Sequence, residues 1–122
     1  MARTHRDLEC WQLANQLRKK LLAILKRADV ARDLNFCNQT DRAINSTCHN
    51  TSEGFYKYRH KPFAASLRIA RGELGETSDA LDEGLEKKYI TPEEYEELSA
   101  LCAKALAANA GLLNYLDGNS KK

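Results

Sequence analysis

Ile90-Thr91-Pro92-Glu93-Glu94-Tyr95-Glu96-Glu97-Leu98 has the residue types of a helix start, in order. Thr91 is an N-cap residue with Glu94 three positions on, the two halves of a capping box. Pro92 takes the first helical position, where its missing N–H costs nothing. Ile90 and Tyr95 are spaced to close a hydrophobic staple across the cap. Glu93 and Glu94 favour the positive end of the helix dipole. Leu98, Leu101, Ala105, Ala108, Leu112 and Leu116 then recur every three or four residues, the period of one helix face. The pattern predicts a helix over 92–116, stopped by Asp117-Gly118-Asn119, with Ser120-Lys121-Lys122 fraying beyond it. One apolar stripe on a helix needs others to cover it.

Three further stripes precede it. Pro62 opens a helix over 62–87, with Phe63, Leu67, Ala70, Leu74, Leu81 and Leu85 on one face. Gly72, Gly75 and Gly84 lie inside it. Each costs up to about 1 kcal/mol relative to alanine in a helix interior, so close approach by a neighbouring helix is expected there. Leu34, Cys37, Ile44, Cys48 and Phe55 mark a helix over 34–58. It is rich in Thr and Asn, which are mediocre helix formers. Leu8, Trp11, Ala14, Leu17, Leu21, Ile24 and Ala28 mark the first helix, over 7–28. The gaps are short, so neighbours run antiparallel. The fold class is all-α, an antiparallel up-down-up-down four-helix bundle forming one domain over 1–122.

Composition agrees. A chain of 122 residues, 43% hydrophobic and 30% charged, can bury a core of its own and is unlike a disordered one. No apolar run approaches the roughly 20 residues of a membrane helix. No apolar stretch follows the basic residues of the N-terminus. A cytoplasmic protein with no membrane partner is expected.

Catalytic and metal patterns are missing from the sequence. Cys10, Cys37, Cys48 and Cys102 show no zinc spacing and no Cys-x-x-Cys. Free thiols packed as small hydrophobes are expected. His5, His49 and His60 are scattered, and no Glu-x-x-His pair occurs. His49 and Glu53, four apart, suit a helix-surface hydrogen bond. Cys48 and His49 are adjacent, so on a helix they point about 100° apart. Glu73-x-x-Glu76, Asp79-x-x-Asp82 and Glu94-x-x-Glu97 read as solvated acidic faces, with a hard-cation site as the alternative. The expectation is no catalysis, no metal and no cofactor.

Charge carries the functional signal. Residues 1–71 hold 14 Lys/Arg against 6 Asp/Glu, and residues 72–122 hold 5 against 11. The first half resembles a polyanion-binding surface, unless the two halves neutralise one another within or between subunits. Arg18, Lys19, Lys20, Lys26, Arg27 and Arg32 belong to the first helix and its exit. Lys57, Arg59 and Lys61 are interleaved with Tyr56, Tyr58 and His60 at the turn between the second and third helices. Cations mixed with aromatics suit phosphates and bases. The candidate nucleic-acid-binding residues are therefore Arg18, Lys19, Lys20, Lys26, Arg27, Lys57, Arg59 and Lys61.

Four segments, in order, resemble the 23S ribosomal RNA intervening-sequence protein family. Asp7-Leu8-Glu9-Cys10-Trp11-Gln12-Leu13-Ala14 is similar to that family's Asp-Leu-x-x-Trp-Gln-x-Ala start. Asn50-Thr51-Ser52-Glu53-Gly54-Phe55 is similar to its Asn-Ile-Ala-Glu-Gly-Phe motif. Leu67-Arg68-Ile69-Ala70-Arg71-Gly72-Glu73-Leu74-Gly75-Glu76 is similar to its Leu-Arg-Ile-Ala-x-Gly-Ser-Leu-x-Glu segment. Tyr89-Ile90-Thr91 and Glu93 to Leu98 resemble its approach to the last helix. The resemblance implies an up-and-down bundle, a homopentamer and no catalysis, and related bundle proteins that assist reverse transcriptases carry basic surfaces toward nucleic acid. Asn50, Glu53, Arg68 and Glu76 match its polar positions, which implies a buried or intersubunit hydrogen-bonded network with Arg68 on a carboxylate. Thr40, Thr47, Thr51 and Thr77 stand where the family carries apolar residues. Each can donate to the carbonyl four residues back; the alternative is a polar cavity between the second and third helices.

The leading expectation is a non-catalytic homo-oligomeric scaffold with an RNA- or DNA-associated role through its basic surface. The alternatives are a protein–protein adaptor without nucleic-acid contact, and a small-ligand or metal binder.

Overall fold

The computed structural model describes residues 2–57 and 59–120. A 3₁₀ turn over His5–Asp7 leads into α1 (Glu9–Leu25), a one-turn α2 (Ala28–Ala31), α3 (Leu34–Phe55), α4 (His60–Glu86) and α5 (Pro92–Ser120). No strand occurs among the described residues. The four long helices pack in a ring, α1 against α3 and α5, and α4 against α3 and α5. Short connections make consecutive long helices antiparallel, which is the expected up-down-up-down bundle. No helix among the described residues is long and apolar enough to cross a membrane.

The larger part of the core includes Leu17, Leu21, Val30, Phe36, Ile44, Leu74, Leu81 and Leu98. A smaller part, Cys10, Ala64, Leu67, Leu113 and Leu116, sits toward the α3–α4 turn. Burying one such large side chain stabilises by about 1.5–3 kcal/mol, so the larger cluster dominates. The thiols of Cys10, Cys48 and Cys102 are buried and unpaired. Desolvation pushes each up to about 11, so they stay protonated and inert.

The helix starts follow the sequence more closely than the stops. The Thr91 N–H donates to Glu94 Oε1 at 2.9 Å and the Glu94 N–H to Thr91 Oγ1 at 3.1 Å, closing the expected capping box. A second box, Thr4 with Asp7, caps the 3₁₀ turn; the sequence reading passed over it. The single helix expected over 7–28 is broken into three pieces, because Leu8 and Arg27 both adopt extended backbone. The helix expected to stop at residue 116 continues to Ser120. Gly118 ends a helix only by turning left-handed, and no described glycine has positive φ. Instead Lys88, at φ 63°, takes the left-handed position after α4. Tyr58, Lys121 and Lys122, on which the second helix end and the frayed tail were placed, lie outside the described residues.

The glycines divide. A Cβ on Gly84 would meet the Phe36 ring at 3.3 Å, as close helix approach requires. Gly72 and Gly75 face open space, with no atom within 4 Å, so that expectation fails for them. The tightest approach is at Gly54, where a Cβ would lie 2.6 Å from Ser66 Cβ of α4.

Candidate nucleic-acid interface

Tyr56 organises the end of the bundle where α3 turns into α4. Its hydroxyl lies 3.2 Å from His5 Nδ1 and accepts from the His5 backbone N–H at 3.4 Å. His5 also stacks edge-on against Trp11, with ring centroids 4.9 Å apart. Tyr56 meets Phe55, and Phe55 meets Phe63, both edge to face. These contacts hold the segment before α1 against the end of α3, 51 residues away in sequence. From α5, Tyr115 approaches His60 at 6.5 Å between centroids. Tyr56 is 56% exposed and Tyr115 62% exposed.

The docking of the N-terminal segment brings Arg3 and Arg6 to the end that holds Lys57, Arg59 and Lys61. All five are exposed. Arg3, Arg6, Arg59 and Lys61 have no ion pair among the described residues. Lys57 donates to Ser66 Oγ at 2.9 Å and pairs with Glu53 at 3.4 Å. Desolvation, and then the neighbouring Arg6 charge, lower the pKa of His5, so its imidazole is neutral near pH 7 and serves as a packing ring. Sequence reading missed Arg3, Arg6 and Tyr115 because no local spacing connects them to residue 59.

The α1 cations do not join this end as one surface. Arg18 is half-buried and donates to Asn15 Oδ1 through Nε and Nη2, at 3.0 and 2.8 Å. Lys20 pairs with Glu97 at 3.0 Å, and Arg27 grips Glu94, both on α5. Arg27 holds the Glu94 carboxyl down to about 2. Lys19 and Lys26 remain exposed without an ion pair among the described residues, on the outer face of α1. Lys26 lies twenty residues from Arg6, which is about 30 Å along a helix axis.

The four positions expected to form a network are not brought together within the chain. Asn50 donates to the Ser46 carbonyl of its own helix at 2.9 Å. Glu53 accepts from His49 at 3.1 Å and from Lys57. Arg68 does find a carboxylate, donating from Nη2 to both oxygens of Asp117 at 2.8 Å. Glu76 accepts from Arg42 at 3.1 Å. All of these links lie at or near the surface. No trio of His, Cys, Asp or Glu among the described residues is placed to hold a metal.

The family model described as 23S rRNA-intervening sequence protein matches residues 6–109. No curated protein matches the chain.

Proposed function

The chain belongs to the 23S rRNA-intervening sequence protein family, and from that premise we propose a non-catalytic, cytoplasmic, self-associating scaffold that holds RNA or DNA at the α3–α4 end of its bundle. One juxtaposition carries the reading. Arg3, Arg6, Arg59 and Lys61, free of ion pairs among the described residues, lie on segments that meet at the same end of the bundle as Tyr56 and Tyr115, both more than half exposed. Cations there fix phosphates and release counterions. Exposed rings stack on unpaired bases without reading sequence. Self-association would repeat the end and multiply weak contacts through avidity. It is supported by α5, whose outer side over Ala103, Ala107 and Gly111 carries small residues where a solvated helix usually carries charge.

Fluorescence anisotropy with a labelled single-stranded RNA at graded salt tests this. Four neutralised phosphates predict a log–log slope of about −3. Charge reversal at Arg59 and Lys61 together should abolish binding. Retention at wild-type strength would refute the reading.

The second reading, an adaptor between proteins, is favoured by Leu34 and Ile69, which are 69% and 54% exposed outside that end. A pull-down returning one protein and no nucleic acid would establish it.

A further inference from the structure

Residues 3–7 form an arm that docks on the end of α3, yet none of His5, Arg6 and Asp7 is buried. Asp7 closes the arm on itself, accepting from the Arg3 and Thr4 N–H groups at 2.8 and 3.1 Å. Leu8, in extended backbone, separates it from α1. Gln12 Nε2 donates to the Arg6 carbonyl at 2.8 Å; the arm's other polar contacts with the bundle, among the described residues, run through His5. Tyr56 Oη takes the His5 backbone N–H, so its own O–H is left to donate to Nδ1, 3.2 Å away. That arrangement needs Nδ1 without a proton. Protonation turns Nδ1 into a second donor aimed at the same oxygen and sets a new cation beside Arg6. Around the ring, α1 contributes Trp11 and α3 the Tyr56 phenol. The Asp7 carboxylate is taken up by its backbone bonds, Glu53 near the end of α3 pairs with His49 and Lys57, and Glu9, which opens α1, is exposed.

We propose that His5 is a proton-sensitive latch: unprotonated, it holds residues 3–7 on Tyr56 and Trp11, and protonation releases them, withdrawing Arg3 and Arg6 from the nucleic-acid end. The latch is a property of the fold, whereas its effect on binding rests on the function proposed above. Burial, and then the Arg6 charge, hold the His5 imidazole below its ordinary value of 6.5. A folded value below the unfolded one means that docking is strongest above pH of about 6.5 and is lost as pH falls beneath it.

Proton NMR of the whole protein, titrated from pH of about 7.5 to about 5, tests the latch without nucleic acid. Cross-peaks joining the His5 ring to Trp11 and Tyr56 are expected at the upper pH and should vanish as the ring protonates, while those within the core persist. Trp11 is the single tryptophan, and its fluorescence should change with the same midpoint. In His5→Phe, which keeps a ring but cannot take a proton, that change should disappear. Tyr56→Phe removes the hydroxyl and should raise the His5 midpoint. Cross-peaks that survive on a protonated His5 would overturn the latch. Anisotropy with single-stranded RNA reads its consequence. At pH of about 5, the wild-type log–log salt slope should be shallower than that of His5→Phe by about 1.4, the contribution of two phosphates; any charge gained elsewhere is common to both proteins. Equal slopes there would overturn the coupling of latch to site. If neither protein binds RNA at either pH, the nucleic-acid end is refuted, and the NMR result still decides the latch.

Discussion

Gly54 and Gly72 both sit inside helices, yet a methyl group added to each meets opposite surroundings. At Gly54 it would lie 2.6 Å from Ser66 Cβ and 3.0 Å from the Phe63 ring. Neither neighbour sits at the end of a long flexible chain, so α3 and α4 must separate. Gly54→Ala is expected to destabilise by about 1–3 kcal/mol, read as a lower midpoint in urea unfolding. At Gly72 no atom lies within 4 Å, so Gly72→Ala should stabilise by up to about 1 kcal/mol through helix propensity and a less flexible unfolded chain. Sequence alone invites the reverse assignment, because Gly72 lies deep inside a helix whereas Gly54 lies near a helix end. The difference is tertiary, and no local pattern contains it. The threonines show the same limit. A hydroxyl bonding back to its own helix is a local event, and three of the four do so. The exception, Thr40, keeps its Oγ1 buried with no hydrogen-bond partner among the described residues.

At the scale of elements, helix starts were legible because caps are local chemistry, and stops were not. The Schellman closure after α4 joins the Tyr89 N–H to the Gly84 carbonyl at 2.8 Å and the Lys88 N–H to Leu85 at 3.1 Å. It puts a lysine at φ 63°, where an L side chain is strained by about 1–2 kcal/mol. Lys88→Gly relieves this but loosens the unfolded chain. A net gain of up to about 1 kcal/mol is expected, seen as a thermal midpoint a few degrees higher. The same connector is clipped by two carboxylates. Asp33 caps α3 and accepts from Tyr89 Oη at 2.6 Å and Lys87 at 2.9 Å. These hydrogen bonds, led by Tyr89, hold its pKa down to about 2. Arg27 does the same for Glu94. A folded pKa below the unfolded value near 4 means the stabilisation is present above pH of about 4 and is lost as pH falls toward 2. Thermal midpoints measured between pH 6 and 2 should therefore fall across that window. Glu94→Gln should make the fall shallower, and an identical fall in the variant would show that the clip contributes nothing.

For the whole molecule, the charge asymmetry of the sequence partly cancels in space. Counted along the chain, the first half is basic and the second acidic. Folded, α1 lies beside α5, and Lys20 and Arg27 meet Glu97 and Glu94 there. The turn cluster at Lys57, Arg59 and Lys61 was readable because its members are neighbours in sequence. Its completion by Arg3, Arg6 and Tyr115 required the bundle to close. What then distinguishes the outside of the molecule is the middle of α5, where Ala100, Ala103, Ala107 and Gly111 are exposed with Lys104 as the one charge among them. Beside it runs a groove lined by Leu8, Leu13, Ala108 and Leu112 at the α1 seam. Lone subunits carrying such a strip favour association, because covering it removes apolar surface from water. Light scattering of the purified protein should therefore give a multiple of the 13.8 kDa chain mass. Ala107→Arg places a charge on the exposed side of α5. It should reduce that mass toward one chain while leaving the helical circular dichroism unchanged. Nucleic-acid affinity should fall with it by about 100-fold or more, since avidity is lost although every cation remains. A wild-type protein that scatters as a single chain, and binds RNA no more tightly than the variant, would remove the scaffold from the reading and leave only the basic end.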